Sequence, residues 1–152
     1  MMPSGNAVVE ILNFAISREE ESRDFYRELA GKMENPSMSK VFEDFAGQEE
    51  KHRIKLEEVK QGKSFTVKPE KIADLKIADY IVEDYPRGEL NYQQALILAM
   101  KREKKAFQLY SNLAEAAVLE TIQNLFSFLA QEEAKHKLMI EIEYDENVLN
   151  EN

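Results

Sequence analysis

The most constraining feature of this chain is a pattern that occurs twice, 84 residues apart, and contains both histidines of the sequence. Each copy has a glutamate followed thirty residues later by a Glu-x-Lys-His run. The two copies are Glu19 with Glu49-Glu50-Lys51-His52, and Glu103 with Glu133-Ala134-Lys135-His136. Every member is displaced by the same number of positions, so the repetition predicts two structurally equivalent halves.

The repeated residues lie on apolar stripes with the spacing of bundle helices. In four segments, apolar residues recur at alternating steps of three and four, which is typical of the core-facing side of an amphipathic α-helix. The repeated glutamates and histidines fall in phase with these stripes. We expect four helices, near residues 6–34, 37–61, 91–118 and 121–147.

Local signals support the helix ends. Asn35-Pro36-Ser37 separates the first helix from the second, and Ser37 is the expected N-cap. Asn91 and Gln94 have the spacing of a capping box at the start of the third helix.

Residues 62–90 form the one long connection, in which residues 71–79 predict a short helix. A connection of this length can run along a bundle and relate two helical hairpins. The predicted fold is therefore all-α, a ferritin-like four-helix bundle with one long crossover. We expect residues 1–152 to form a single domain with repeat halves at about 6–61 and 91–147.

Glutamates on a core-facing stripe require positive partners. Burying one unpaired carboxylate is strongly unfavourable, and four at one level of a bundle would repel one another. Two divalent cations balance four carboxylates, and residues three apart on a helix share a face. The pattern therefore predicts a binuclear metal site whose ligands are Glu19, Glu49, His52, Glu103, Glu133 and His136. Mixed oxygen and nitrogen ligands suit iron or manganese, with zinc possible.

The repeat separates ligand candidates from neighbouring glutamates. Glu20 and Glu21 align with Lys104 and Lys105, so we expect them to face solvent, and Glu132 aligns with a glutamine. A single Glu-x-x-His run usually indicates an exposed helix face. Two copies in phase with apolar stripes favour the metal site instead.

Tyr26 and Tyr110 lie two helical turns beyond Glu19 and Glu103. Each hydroxyl could donate a hydrogen bond to a ligand carboxylate and assist chemistry there. Alternatively, each is a core tyrosine whose hydroxyl has another partner. The sequence leaves both interpretations open.

Composition excludes several classes of function. The chain has no cysteine, which excludes disulfides, iron–sulfur clusters and thiolate zinc sites. Its formal net charge of −9 argues against nucleic acid and anionic membranes as partners. No apolar stretch is long enough to span a bilayer, and the N-terminus lacks the pattern of a signal peptide. We therefore expect a cytoplasmic protein.

With the paired Glu and Glu-x-x-His motifs and their tyrosines, the sequence resembles the rubrerythrin branch of the ferritin-like superfamily over nearly its whole length. The resemblance implies that Glu49 and Glu133 bridge two irons, while the other two glutamates and the histidines are terminal ligands. It also implies that H₂O₂ or O₂ is reduced or Fe(II) oxidised, and that the protein is a homodimer.

Two departures from that family affect the expected activity. Rubrerythrins carry a rubredoxin module with four cysteines, so this cysteine-free chain is expected to use an external electron donor such as a rubredoxin. Rubrerythrins also have an additional carboxylate one turn after the third-helix ligand, where this chain has Ala106. Three functions remain open: a peroxide- or O₂-reducing oxidoreductase, a ferroxidase or iron-buffering protein, and a module with structural metal.

Overall fold

The computed structural model describes residues 3–62, 65–72, 75–82 and 90–149, most of which are helical. Within these ranges no strand occurs, although Val67 and Ala117 form an isolated β-bridge. The predicted all-α class is confirmed, and each long helix ends within three residues of its predicted bounds. The helices are α1 Pro3–Lys32, α2 Pro36–Gly62, α3 Pro69–Ile72, α4 Tyr92–Ala116 and α5 Glu120–Tyr144, with a 3₁₀ turn at Ile77–Tyr80 and a π-helical segment at Asp145–Leu149.

The chain forms two compact units, each with one of the two repeated hairpins. The first unit comprises Met1–Leu75 with Ala117–Leu119, and the second comprises Lys76–Ala116 with Glu120–Asn152. The hairpin of α1 and α2 therefore belongs to the first unit, and that of α4 and α5 to the second. That residues 1–152 act as a single domain stays a prediction.

In the first unit, α1 and α2 pack as an antiparallel pair along their apolar stripes. Leu12 and Ala15 of α1 and Phe42 and Leu56 of α2 are buried. Removing such side chains from water is the main favourable term in the packing of a helical hairpin. The connecting turn is closed by a hydrogen bond of 2.9 Å from the Ser39 hydroxyl to a carbonyl of α1.

The N-cap of α2 is Asn35, and the prediction of Ser37 in that role is wrong. Oδ1 of Asn35 accepts hydrogen bonds from the backbone N–H groups of Ser37, at 2.9 Å, and Met38, at 3.4 Å. Pro36 is the first helical residue, where the missing N–H of proline removes no helical hydrogen bond. The helix therefore starts before Ser37, whose own N–H needs a cap.

In the second unit, α4 begins with the predicted capping box. The Asn91 side chain accepts from the Gln94 N–H at 2.8 Å, and the Gln94 side chain accepts from the Asn91 N–H at 3.1 Å. Two of the first N–H groups are thereby satisfied without a preceding helical turn. The prediction of a capping box at this position is confirmed.

The described parts of the long connection contain two short helical turns rather than one. α3 belongs to the first unit and the 3₁₀ turn to the second. The 3₁₀ turn is attached to α4, because Asn112 donates to the Tyr80 hydroxyl at 2.7 Å and Lys105 Nζ donates to the Asp79 carbonyl at 3.0 Å. Residues 73 and 74, in the middle of the predicted short helix, lie outside the described residues.

The long helices are amphipathic rather than apolar throughout. Among the described residues, no helix combines the length and the hydropathy that crossing a membrane requires.

Candidate metal centre

The first unit brings together Glu19, Glu49 and His52, all of which are 1–2% exposed. Glu49 and His52 are three residues apart on α2 and so share its inner face, opposite Glu19 of α1. Nδ1 of His52 lies 3.4 Å from a carboxylate oxygen of Glu19 and 3.4 Å from one of Glu49. Each residue offers a ligand atom within 4.8 Å of the others, so the three could hold a metal ion.

The second unit repeats the arrangement with Glu103 of α4 and with Glu133 and His136 of α5. These three side chains are also buried. Nδ1 of His136 lies 3.7 Å from a carboxylate oxygen of Glu103, and the ligand atoms of the three residues lie within 4.8 Å of one another. The six residues predicted as ligands of one binuclear site therefore form two sets of three, each inside its own unit.

The neighbouring glutamates point outward, as the repeat predicted. Glu20 and Glu21 are exposed. Glu50 lies 2.7 Å from a guanidinium nitrogen of Arg23 and 2.8 Å from one of Arg53. Hydrogen bonds from Arg53 and then Arg23 lower the pKa of Glu50 to about 2. Its charge is satisfied at the surface, so Glu50 is a poor candidate for a metal ligand.

Two effects act in opposite directions on the pKa of His52 in the first set of three. Burial by itself lowers the pKa of His52, because the imidazolium is harder to hold away from water. Hydrogen bonds and charges of Glu19 and Glu49 outweigh burial and raise that pKa to about 9. In the metal-free protein, His52 is therefore a cation at neutral pH and partly compensates the two carboxylates.

The chemistry of each set fits a divalent metal ion. Two carboxylates and one imidazole, buried and close together, provide hard oxygen donors with one nitrogen donor. This combination suits iron and manganese, and zinc also accepts it. A bound cation takes over the compensation of charge that the protonated imidazole supplies in its absence.

The two candidate tyrosines are buried against aromatic rings. The Tyr26 ring stacks on Phe42 at 6.0 Å and meets Phe45 edge-on at 5.4 Å. In the second unit, the Tyr110 ring stacks on Phe126 at 6.2 Å. These contacts fix each ring in the core of its hairpin. The role of the hydroxyls at the candidate metal centre stays a prediction.

One buried carboxylate, Glu143 of α5, was missed by the sequence prediction. Its side chain is 6% exposed and accepts hydrogen bonds from the Tyr92 hydroxyl, at 2.8 Å, and from the Asn147 amide. Helical spacing could have identified it, because the core-facing stripe that includes His136 and Ile140 continues at Glu143. The search for repeated glutamates did not find Glu143, since the matching residue of the first half is Val59.

Comparisons with known proteins agree with this description. A family model described as rubrerythrin matches residues 10–144. No curated protein shows significant sequence similarity to the chain. A crystal structure from Thermotoga maritima, described as a ferritin-like diiron-carboxylate protein, shares 24% identity over 92% of this chain and 95% of that chain, with a TM-score of 0.71. A hypothetical protein from Pyrococcus furiosus shares 23% over 90% and 87%, with a TM-score of 0.66. These likenesses confirm the expected ferritin-like four-helix fold.

Proposed function

The chain belongs to the rubrerythrin family, and from this premise we propose that it is a di-iron carboxylate oxidoreductase that reduces H₂O₂ or O₂ with electrons from an external carrier. The observation that carries the proposal is the duplicated buried set of two glutamates and one histidine, one in each hairpin. In this proposed function, the protein acts as a homodimer in the cytoplasm.

The six predicted residues would hold the two ions. Four carboxylates provide a charge of −4 and two neutral imidazoles none, so two divalent ions neutralise the site. Six side chains leave coordination positions open for a small substrate, in contrast to the closed shell of a structural site. A purely structural role for the metal is therefore the least supported of the three functions.

Two iron ions bound at these residues would supply one electron each, which together with two protons reduce H₂O₂ to two molecules of water. The chain contributes the surroundings of this chemistry. Buried apolar and aromatic side chains in each hairpin, including Phe42 and Phe126, limit access of bulk water. In the proposal, the hydroxyls of Tyr26 and Tyr110 donate hydrogen bonds to ligand carboxylates and keep them oriented.

The second candidate function is that of a ferroxidase, in which Fe(II) is the substrate. It is favoured by Ala106, which stands one turn after Glu103 where rubrerythrins have a further carboxylate. Without that carboxylate the ligand set is symmetric between the halves. At this position α4 would offer no alternative carboxylate to an iron bound by Glu103.

Stopped-flow oxidation distinguishes the two candidates. Protein loaded with two equivalents of Fe(II) under anaerobic conditions is mixed with H₂O₂ or with O₂ at equal concentration. The proposal expects faster oxidation by H₂O₂, followed by re-reduction by an added rubredoxin. Faster oxidation by O₂, with ferric mineral accumulating under excess Fe(II), assigns the ferroxidase function instead.

A stability measurement tests the metal centre without turnover. The metal-free protein holds carboxylates that repel one another, so saturating Mn(II) should raise the melting temperature by linkage. An equal melting temperature with and without Mn(II) or Fe(II) contradicts a metal centre at these residues.

A further inference from the structure

A run of four basic residues surrounds Glu103 on α4, in a chain whose formal net charge is −9. Lys101 and Lys104 are exposed, and Arg102 and Lys105 are half-buried. Glu103 alone of this stretch is buried. The basic surface of α4, which comprises these four basic residues, therefore lies on the same helical turns as a predicted metal ligand.

The repeat shows that the basic surface belongs to one half only. The matching residues around Glu19 are Ser17, Arg18, Glu20 and Glu21. Four positive charges on α4 thus correspond to a net charge of −1 on α1, from one arginine and two glutamates. Folding needs amphipathic helices in both halves, so it does not explain why one outer face is basic and the other is not.

The second unit holds part of this surface in place. Lys105 Nζ donates a hydrogen bond of 3.0 Å to the Asp79 carbonyl of the 3₁₀ turn. That turn is itself attached to α4 through Tyr80 and Asn112. Lys105 is therefore fixed against the 3₁₀ turn, and Lys101 and Lys104 lie exposed on the adjacent turns of α4.

We infer that the basic surface of α4 is the docking site for an acidic one-electron carrier protein. The inference rests on the proposed function, because that function needs an external electron donor. Its evidence is charge complementarity: four basic residues within five positions of an otherwise acidic protein favour an acidic partner at this place. Complementary charge of this kind steers encounter and raises association rates by about 10- to 1,000-fold at low salt.

The position of the surface also favours electron transfer. An α-helix with its side chains is about 10–12 Å in diameter, so a carrier docked on the outer face of α4 is separated from the Glu103 carboxylate by about one helix. Electron tunnelling becomes slower steeply with distance. A carrier docked at the ends of the hairpin, near Tyr92 or Ala116, would be farther from Glu103 along the helix axis.

The test compares two charge-reversal variants. Lys101→Glu/Lys104→Glu changes the basic surface, and Lys40→Glu/Lys55→Glu makes the same change in net charge at exposed positions of α2. The probe is a purified acidic rubredoxin in its reduced form, whose oxidation by the protein in its diferric form is followed by stopped flow. At low salt, we expect the rate constant to fall about tenfold or more in the first variant and by about twofold or less in the second.

Salt supplies an independent readout. Between about 0.01 M and 1 M salt the Debye length falls from about 30 to 3 Å. The wild-type rate constant should fall strongly over this range, and that of Lys101→Glu/Lys104→Glu should be nearly constant or rise. The docking site is contradicted if the rate constant falls equally in both variants, or if the wild type and Lys101→Glu/Lys104→Glu show the same salt dependence.

Two controls separate failure of the docking site from failure of the proposed function. Oxidation of each chemically reduced, iron-loaded variant by H₂O₂ involves no carrier and reports on the metal centre alone. Binding of redox-inert, zinc-substituted rubredoxin to the metal-free protein involves no electron transfer and reports on the surface alone. Binding that depends on Lys101 and Lys104 supports the docking site even if peroxide leaves the iron reduced. Binding equal in both variants contradicts it even if peroxide is reduced.

Discussion

The hydroxyl of Tyr92, in the first turn of α4, donates a hydrogen bond of 2.8 Å to the buried carboxylate of Glu143 near the end of α5. Asn147 of the following π-helical segment donates to the other carboxylate oxygen. The matching residues of the first half are Val8 and Val59, so the repeat has an apolar pair where the second unit has a polar one. The Tyr92–Glu143 hydrogen bond therefore joins the first turn of α4 to the last turn of α5.

Replacing Tyr92 by phenylalanine should destabilise the protein at neutral pH. The Glu143 carboxylate loses one of its two donors while it stays buried, which costs about 1–3 kcal/mol. Urea unfolding measures the change in the free energy of unfolding. The matched control is Tyr144→Phe. The Tyr144 hydroxyl accepts a long hydrogen bond of 3.2 Å from Gln93 at an exposed position, so its removal should lower the free energy of unfolding by less than about 0.5 kcal/mol.

The loss of stability caused by Tyr92→Phe should become smaller at alkaline pH. Burial, and then the bond to Glu143, raise the pKa of Tyr92 above its ordinary value of 10.0. The stabilisation is present below pH 10.0 and is lost as the pH rises above it, because the unfolded chain releases the phenolic proton first. The difference between wild type and variant should therefore shrink above pH 10.0. A constant difference across that range contradicts the pairing.

Asn35→Ala should destabilise the protein by about 1 kcal/mol, because it removes the acceptor that caps α2. Ser37→Ala should change the free energy of unfolding by less than about 0.5 kcal/mol, since the Ser37 hydroxyl is not the cap. Thermal denaturation of both variants measures the two effects. The reverse order, with the larger loss at Ser37, would restore the N-cap expected from sequence.

Glu49→Ala combined with Glu133→Ala should reduce bound metal from two ions per chain to one or fewer. The family resemblance implies that these two carboxylates are shared between the ions, so both ions lose a ligand. Elemental analysis after anaerobic loading measures the stoichiometry. Glu50→Ala with Glu132→Ala, one residue away on each helix but outward-facing, should still bind two. Equal stoichiometry in the two double variants would remove the proposed role of Glu49 and Glu133.

Tyr26→Phe and Tyr110→Phe should slow oxidation of the loaded protein by H₂O₂ while leaving two metal ions bound. Phenylalanine preserves the ring packing and removes only the hydroxyl, so a slower reaction with normal loading reports on its hydrogen bond. Tyr80→Phe is the control, because this buried tyrosine accepts its hydrogen bond from Asn112 on α4. If all three variants react at the same rate, Tyr26 and Tyr110 are core residues.

Sequence alone determined the class of fold, the bounds of the long helices and the register of the candidate ligands. Helical periodicity carries this information, because a residue in phase with an apolar stripe must face the interior of its hairpin. The 84-residue repeat then distinguished Glu19 from Glu20 and Glu49 from Glu50, and the structure buries the first of each pair and leaves the second at the surface.

Only the tertiary structure decided how buried charges are compensated. The raised pKa of His52 is the outcome of burial against two carboxylates, one of which belongs to another helix. Glu143 finds its donor in Tyr92, fifty-one residues away, and no periodicity within one helix predicts that pairing. The physical reason is the same in both cases: the pattern of a single helix determines which residues face inward, whereas electrostatic free energy depends on what the neighbouring helix places opposite them.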